Sequence, residues 1–314
     1  MQVSFEVPFP CPSVPSIIER MTSLTIPTRQ GLSGRRVPAE AFFVGSAVFH
    51  YLGPAFAVLL FARVDVLGVA WLRIASAALV FALWRRPWRL VGSLSMDARR
   101  TLLSLGIVLA LMNAVFYEAI ARLPLGTVAA VEFVGPVVLA AVGARSRRNV
   151  IALGVAVPGV YLLTGVQLSG EPWGVALAGA NAVLFTLYIV LAHRLARLGG
   201  IGGVDGLAAS MLVALVVVTP LAGAAALPAI VDPIALLAGV GVGVASSVIP
   251  YVCDQLAMAR LARSTYALFV ALLPATAVVI GVVVLGQVPT MVEVAAVALV
   301  IAGVVVHQDA EPAA

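Results

Sequence analysis

The sequence predicts an all-α polytopic membrane protein in which ten transmembrane helices form two inverted five-helix repeats. Three observations predict this fold: an extreme apolar composition, apolar blocks of membrane-spanning length, and an internal repeat. Of the 314 residues, 62% are hydrophobic and only 11% are charged, whereas soluble domains are about 45–50% apolar and about 25% charged. One water-soluble core cannot bury so large an apolar excess, so the composition excludes a soluble enzyme and a disordered chain.

The apolar blocks begin at residue 41 and alternate with short polar or Gly/Pro breaks. Each block is close to the ~20 residues that a helix needs to cross a bilayer, whereas barrel strands would alternate over about ten residues. The predicted helices cover 41–62, 65–84, 101–121, 125–144, 149–166, 173–193, 205–226, 233–253, 265–285 and 290–307.

These blocks divide the chain into four parts. The first part is rich in proline, which is typical of a flexible segment, and it offers Met1 and Met21 as alternative translation starts. The predicted parts are a cytoplasmic tail over 1–40, a first repeat over 41–166, a second repeat over 173–307, and a cytoplasmic C-terminal tail over 308–314.

The internal repeat relates the two halves at an offset of 138 residues. Residues 119–143 and 257–281 share eight identities, among them Arg122 with Arg260 and Pro136 with Pro274. A unit of five helices crosses the membrane an odd number of times, so the second copy must be inverted. Inverted repeats around a midplane site are typical of secondary transporters.

The positions of the arginines predict the orientation. All 19 basic residues are arginine, and 16 of them fall in the N-terminal tail or in loops on one side of the membrane. Only Arg63 and Arg122 fall on the other side, and Arg73 lies inside a span. The positive-inside rule therefore places both termini in the cytoplasm of a multi-pass plasma-membrane protein. The basicity reports topology and does not indicate nucleic-acid binding.

Polar side chains within the spans are the candidate binding residues, because they are costly in a bilayer. Arg73 could hold a substrate carboxylate through two hydrogen bonds, or form a structural ion pair. Glu132 could bind a substrate ammonium, carry a coupling proton, or pair with Arg73. Asn113 and Tyr117 share a face of the third helix and could bind substrate or join helices.

Further candidates lie in the second half and at matching prolines. Tyr251 and Asp254 share a face at the end of the eighth helix, although Asp254 could be a solvated surface carboxylate. Pro136 and Pro274 are predicted hinges, with plain helix kinks as the alternative. For His50, Asn181 and Tyr188 the sequence leaves packing and binding roles open.

Several motifs resemble one known transporter superfamily. The segment WLRIASAALVF over 71–81, followed by RRPWRL over 85–90, resembles the second helix and loop of EamA-type drug/metabolite transporters. A second group resembles the threonine/homoserine exporter branch more closely: MNAVFY over 112–117, LPLG over 123–126, VEFVGP over 131–136, IPY over 249–251 with Asp254, and Leu285–Gly286.

This resemblance covers residues 41–307 and implies ten helices in two inverted halves, with efflux of a small metabolite. Its branch implies a small polar amino acid such as threonine or homoserine. Two positions depart from the pattern: Gln287 stands where the superfamily often has glutamate, and Glu118 stands where the branch is usually apolar.

The sequence carries no phosphate-binding loop, no metal-spaced His/Cys cluster and no nucleophile motif. It therefore predicts a transporter without cofactor or metal, driven by proton antiport through alternating access, with Glu132 as the proton carrier. An exporter of drugs or quaternary amines is the alternative, and a membrane-embedded enzyme or channel-like facilitator fits less well. The expected partners are a small-molecule substrate and the lipid bilayer, without nucleic acid, and a homodimer is left open.

Overall fold

The computed structural model describes residues 38–92, 94–143, 147–168, 171–198, 203–258 and 272–308. Within these ranges the secondary structure is helical and no strand occurs, which confirms the all-α prediction. The long helices are α1 (Ala39–Leu60), α2 (Val66–Arg85), α3 (Met96–Ile120), α4 (Leu125–Gly143), α5 (Arg147–Leu168), α6 (Pro172–Arg197), α7 (Gly203–Val231), α8 (Pro233–Gly243, Val244–Val248 and Ile249–Met258, continuous), α9 (Leu273–Leu285) and α10 (Met291–Gln308). A one-turn helix, Trp88–Val91, follows α2.

Side-chain caps explain where several helices begin. The carboxylate of Asp65 accepts from the Leu67 N–H at the start of α2. The carboxylate of Asp232 accepts from the Ile234 and Ala235 N–H groups at the start of α8. Ser95 caps α3 by accepting from Ala98 N. Thr290 and Glu293 cap α10 reciprocally, because each side chain accepts from the other's backbone N–H. Such caps satisfy N–H groups that have no partner within the helix.

Each predicted helix has a counterpart among the described residues, but several boundaries differ. Helix α6 ends at Arg197 rather than at residue 193, and α8 is helical to Met258 rather than to residue 253. Residues 265–271 of the ninth predicted helix lie outside the described residues. Helix α3 begins at Met96 rather than at residue 101, because Ser95 caps a polar first turn that an apolar-block criterion omits. Helix α7 runs to Val231 rather than to residue 226, passing Pro220 and Pro228 without ending. Apolar membrane helices tolerate proline when neighbouring groups satisfy the freed carbonyls. The predicted tail over 1–40 lies almost wholly outside the described residues.

Six described helices are long and apolar enough to cross a membrane: α1, α2, α3, α6, α7 and α8. The other four contain apolar stretches of 10–17 residues. These four stretches are shorter than the ~20 apolar residues that a crossing needs, so the count of ten crossings stays a prediction.

Helix α8 contains one turn of π-helix, Val244–Val248. Two serines lie in this wide turn, and both are buried. Proline has no N–H, so Pro250 cannot donate to the Ser246 carbonyl four residues before it. The wide turn thereby presents polar groups toward the helix bundle, where α1 and α2 pack on it.

Small residues allow the helices to approach closely. Helix α2 packs on α7, α5 on α10, α3 on α6 and α7, and α1 on α8 and α9. At the α2–α7 contact, a Cβ on Gly68 would lie 2.3 Å from the Ala225 carbonyl oxygen. At the α8–α2 contact, a Cβ on Gly243 would lie 1.8 Å from Ser76 Oγ and 2.7 Å from the Arg73 carbonyl oxygen. Close contacts of this kind are typical of membrane helix packing.

The Gly243→Ala substitution is expected to separate α8 from α2, because the added methyl meets a backbone carbonyl that cannot move alone. Overpacking costs about 1–3 kcal/mol, which corresponds to a fall of roughly 2–10 °C in the thermal midpoint. Thermal unfolding of the detergent-solubilised protein measures this. Gly241→Ala is the matched control, since nothing lies within 4 Å of its added Cβ. Equal midpoints for the two variants would contradict the close contact.

Candidate functional site

The polar residues of several helices converge on one cavity of about 50 Å³. Helices α1, α2, α3, α4, α6 and α8 form its wall. Its lining residues are His50, Pro54, Arg73, Met112, Asn113, Phe116, Glu132, Asn181, Phe185, Tyr188 and Tyr251. Four of the six predicted substrate-binding residues are in this set, although the chain separates them by up to 178 positions.

Arg73 is held in place by the π-helical turn of α8. Its Nε donates to Ser247 Oγ at 3.1 Å and its Nη2 donates to the Ser246 carbonyl at 3.3 Å. The guanidinium also lies over the Tyr117 ring, 5.4 Å from the centroid, a cation–π geometry. Among the described side chains, no carboxylate lies within 4.0 Å of Arg73. The two hydrogen bonds use two of five N–H donors, so the guanidinium retains donors for a ligand.

Glu132 is a buried carboxylate in the cavity wall, 7% exposed. The charge of Arg73 and the amide of Asn181 are the neighbouring groups that act on it. The Asn181 side chain is fully buried, and none of its amide atoms makes a hydrogen bond of normal geometry with a described residue. A buried amide without a partner is costly, so Asn181 offers both a donor and an acceptor to an occupant of the cavity.

Asn113 and Tyr117 differ in their relation to the cavity. Asn113 lines it and donates from Nδ2 to the Leu109 carbonyl of its own helix at 2.8 Å. This hydrogen bond does not use the amide oxygen of Asn113. Tyr117 is fully buried and is not among the lining residues; its ring supports the guanidinium of Arg73 from behind. The two residues predicted to share a helix face therefore differ in position, because Asn113 lines the cavity and Tyr117 does not.

The remaining predicted residues are only partly described. Tyr251 lines the cavity from α8. Position 254 lies in the same helix, but the side chain of Asp254 is outside the described residues, as is that of Pro136 in α4. Pro274 is buried in the first turn of described α9, where a proline removes no intrahelical hydrogen bond. The hinge roles remain predictions.

Three polar residues that depart from the motifs or lie at helix ends have local partners. Glu118, in the last turn of α3, forms an ion pair with Arg122, which follows the end of the helix. Gln287 accepts from the Leu125 N–H at 3.0 Å and so caps the first turn of α4. Glu293 belongs to the cap of α10. Gln287 and Glu293 line a second cavity of about 210 Å³.

Sequence reasoning missed the pair Ser246 and Ser247, which position Arg73, and the aromatic walls Phe116 and Phe185. A signal existed for the serines: two consecutive hydroxyls stand four and three residues before a proline in an apolar block. The π-helical turn that brings them to Arg73 has no sequence signature of its own.

Comparisons with known proteins give the family. The model of the EamA-like transporter family matches residues 172–307. The threonine/homoserine exporter RhtA of Salmonella typhimurium (strain LT2) is 31% identical over 253 residues, covering 80% of this chain and 84% of the relative. The RhtA protein of Escherichia coli (strain K12) is 30% identical with the same coverage.

The chain belongs to the EamA-like transporter family. It is therefore a membrane transporter and not an enzyme. A solved crystal structure with 19% identity superposes with a TM-score of 0.53, covering 86% of this chain and 96% of that one, and it shares the fold. A transporter needs a substrate site, and the cavity between α1, α2, α3, α4, α6 and α8 is the candidate.

Proposed function

We propose that this EamA-like transporter exports a small polar amino acid, such as threonine or homoserine, by proton antiport. One observation carries the proposal: a guanidinium and a carboxylate of opposite charge, Arg73 and Glu132, line the same buried cavity. An α-amino acid is a zwitterion that needs one partner of each sign. The exporters named above supply the substrate class.

The substrate carboxylate is assigned to Arg73. Its remaining N–H donors suit a carboxylate, since a planar guanidinium binds one with two parallel hydrogen bonds. Because Ser247, the Ser246 carbonyl and the Tyr117 ring already fix its orientation, little conformational entropy is lost on binding.

The substrate ammonium is assigned to Glu132, with Asn181 and Asn113 beside it. A protonated amine donates three hydrogen bonds, and the carboxylate and the two amide oxygens are the acceptors that these positions supply. A side-chain hydroxyl, the group that threonine and homoserine share, would use the amide nitrogen of Asn181, which makes no hydrogen bond of normal geometry with a described residue.

The cavity's size and charge weigh against the drug-exporter alternative. About 10–15 Å³ of cavity holds one water, so 50 Å³ corresponds to only a few small groups and a substrate of drug size would need a much larger opening. The aromatic wall of Phe116, Phe185, Tyr188 and Tyr251 favours a quaternary amine. The fixed positive charge of Arg73 opposes it, because a buried like charge is strongly repelled.

The inverted repeat and alternating access are part of the proposal. The packing pattern supports them: α1 packs on α8 as α6 packs on α3, and the equivalent helices α2 and α7, and α5 and α10, pack on each other. The family model matches the second five helices on their own. One repeat would rock against the other around the midplane cavity, with Pro136 and Pro274 as hinges and both termini in the cytoplasm of the plasma membrane.

Counterflow in proteoliposomes tests the substrate class. Vesicles loaded with unlabelled threonine or homoserine are expected to accumulate labelled threonine transiently, whereas vesicles loaded with choline are not. Counterflow requires a carrier that alternates, so it also separates this proposal from a channel-like facilitator. Protein-free vesicles give the background. Accumulation of labelled choline by choline-loaded vesicles, with no accumulation of labelled threonine by vesicles loaded with threonine or homoserine, would replace this proposal with the amine exporter.

A further inference from the structure

A groove of about 390 Å³ lies away from the central cavity, between α3, α7 and the one-turn helix Trp88–Val91. Its walls are apolar side chains of the two long helices, and Trp88 and Arg99 stand at its edge. The residues that matter for its chemistry are Trp88, Arg99, Leu102, Leu103, Leu212 and Val213.

Arg99 is the charged residue among those that line the groove, and a hydrogen bond holds its side chain in place. Its Nη2 donates to the Gly92 carbonyl at 2.7 Å, which ties the start of α3 to the loop after α2. No ion pair joins it to a described carboxylate. Arg99 is half-buried, and its Nε is buried without a hydrogen-bond partner among the described residues, so water solvates its charge incompletely.

The surroundings of the groove are strongly basic. Arg86, Arg89 and Arg100 are exposed, and each is next to a lining residue in the chain. Arg85 is the one arginine of this loop paired to a described acid, through two hydrogen bonds of 2.6 and 2.9 Å to Asp205. Asp97 is the other acid in the segment. The positive charge of this segment therefore exceeds its negative charge, and the excess favours an anion.

We infer that this groove binds an anionic phospholipid, whose phosphate faces Arg99 and whose acyl chain lies along Leu102, Leu103, Leu212 and Val213. A ligand that is apolar along most of its length and anionic at one end matches both features. Basic pockets between transmembrane helices bind such headgroups. Trp88, 56% exposed at the groove's edge, has the amphipathic ring typical of the level of lipid headgroups.

Trp88 provides the reporter for the test. The protein is placed in nanodiscs that contain phosphatidylglycerol or phosphatidylcholine brominated high on the acyl chains, at equal mole fraction, and tryptophan quenching is measured. The difference between wild type and Trp88→Phe isolates Trp88 from the other tryptophans. At least twofold more Trp88 quenching by the brominated phosphatidylglycerol is expected. Equal quenching by the two lipids, or none by either, would overturn the proposal.

Variants locate the anion. Arg99→Gln is expected to abolish the preference, while Arg99→Lys retains part of it. Arg122→Gln removes an arginine that pairs with Glu118 at the opposite end of α3 and is expected to retain the full preference. If Arg99→Gln does not fold, Leu103→Glu tests the same site, because Leu103 is 52% exposed and a carboxylate there repels a phosphate. An unchanged lipid preference in the folded variants would overturn the assignment.

Discussion

An Arg73→Ala transporter is expected to lose roughly 100-fold or more in the rate of threonine counterflow at low substrate concentration. The substitution removes two charge-assisted hydrogen bonds to the substrate, each contributing about 1.5–3 kcal/mol, and every 1.4 kcal/mol is tenfold. It also frees the π-helical turn, because Ser247 Oγ and the Ser246 carbonyl lose their donor. Arg73→Lys keeps the charge without the planar fork, so we expect it to recover only part of the loss.

A purely structural role for Arg73 would also impair the protein, so the measurement needs a second substrate. The amine that lacks the threonine carboxylate serves this purpose. Wild type is expected to prefer threonine strongly over this amine, and Arg73→Ala is expected to lose that preference, even if its total activity is low. A folded Arg73→Ala protein that still discriminates by the carboxylate would assign the arginine to packing alone.

The Glu132→Gln substitution is expected to separate exchange from coupling. Glutamine keeps the size and an oxygen acceptor for the substrate ammonium but cannot take up a proton. Counterflow at saturating threonine is therefore expected to continue, with a half-saturation concentration raised about tenfold, since a charge-assisted hydrogen bond is replaced by a neutral one. Accumulation driven by an imposed pH gradient is expected to disappear. Labelled threonine followed in vesicles with and without the gradient measures both.

The matched control for this substitution is Glu118→Gln. Glu118 belongs to the same half of the chain, but it pairs with Arg122 at the end of α3 and does not line the cavity. Its variant is expected to respond to the gradient like wild type. Gradient-driven accumulation that persists in Glu132→Gln would remove Glu132 as the proton carrier while leaving the substrate site intact.

The helices were predictable because a bilayer imposes a simple rule on composition. About twenty apolar residues between polar breaks indicate a helix, and each predicted block has a helical counterpart. The errors lie at helix boundaries that individual side chains determine. Ser95 extends α3 by capping it, and α7 continues past Pro220 and Pro228. Neither effect changes the apolar content of the block, so hydropathy alone does not reveal them.

The charged residues of the candidate site could be predicted from the sequence, but the groups that hold Arg73 in place could not. Arg73 and Glu132 stand out because charged groups in apolar helices need a reason, and both line the cavity. What holds Arg73 was not foreseen, because serine in an apolar helix normally bonds to its own backbone, as Ser246 Oγ does to the Val242 carbonyl. Which carbonyl is left for another helix depends on the winding of α8, and that is a tertiary property.

The π-helical turn in α8 has a consequence for how this chain aligns with its relatives. An α-helix advances 100° per residue, and a π-turn absorbs one additional residue before the regular winding resumes. If Val244–Val248 were wound as ordinary α-helix, every later side chain of α8 would rotate by about 100°, and Tyr251 would leave the cavity wall. A homologue with one residue fewer in this turn would wind it as ordinary α-helix and still direct the residue equivalent to Tyr251 toward the cavity. It would lack the Ser246 carbonyl that accepts from Arg73. A single-residue gap here in an alignment would therefore indicate that another group holds the arginine.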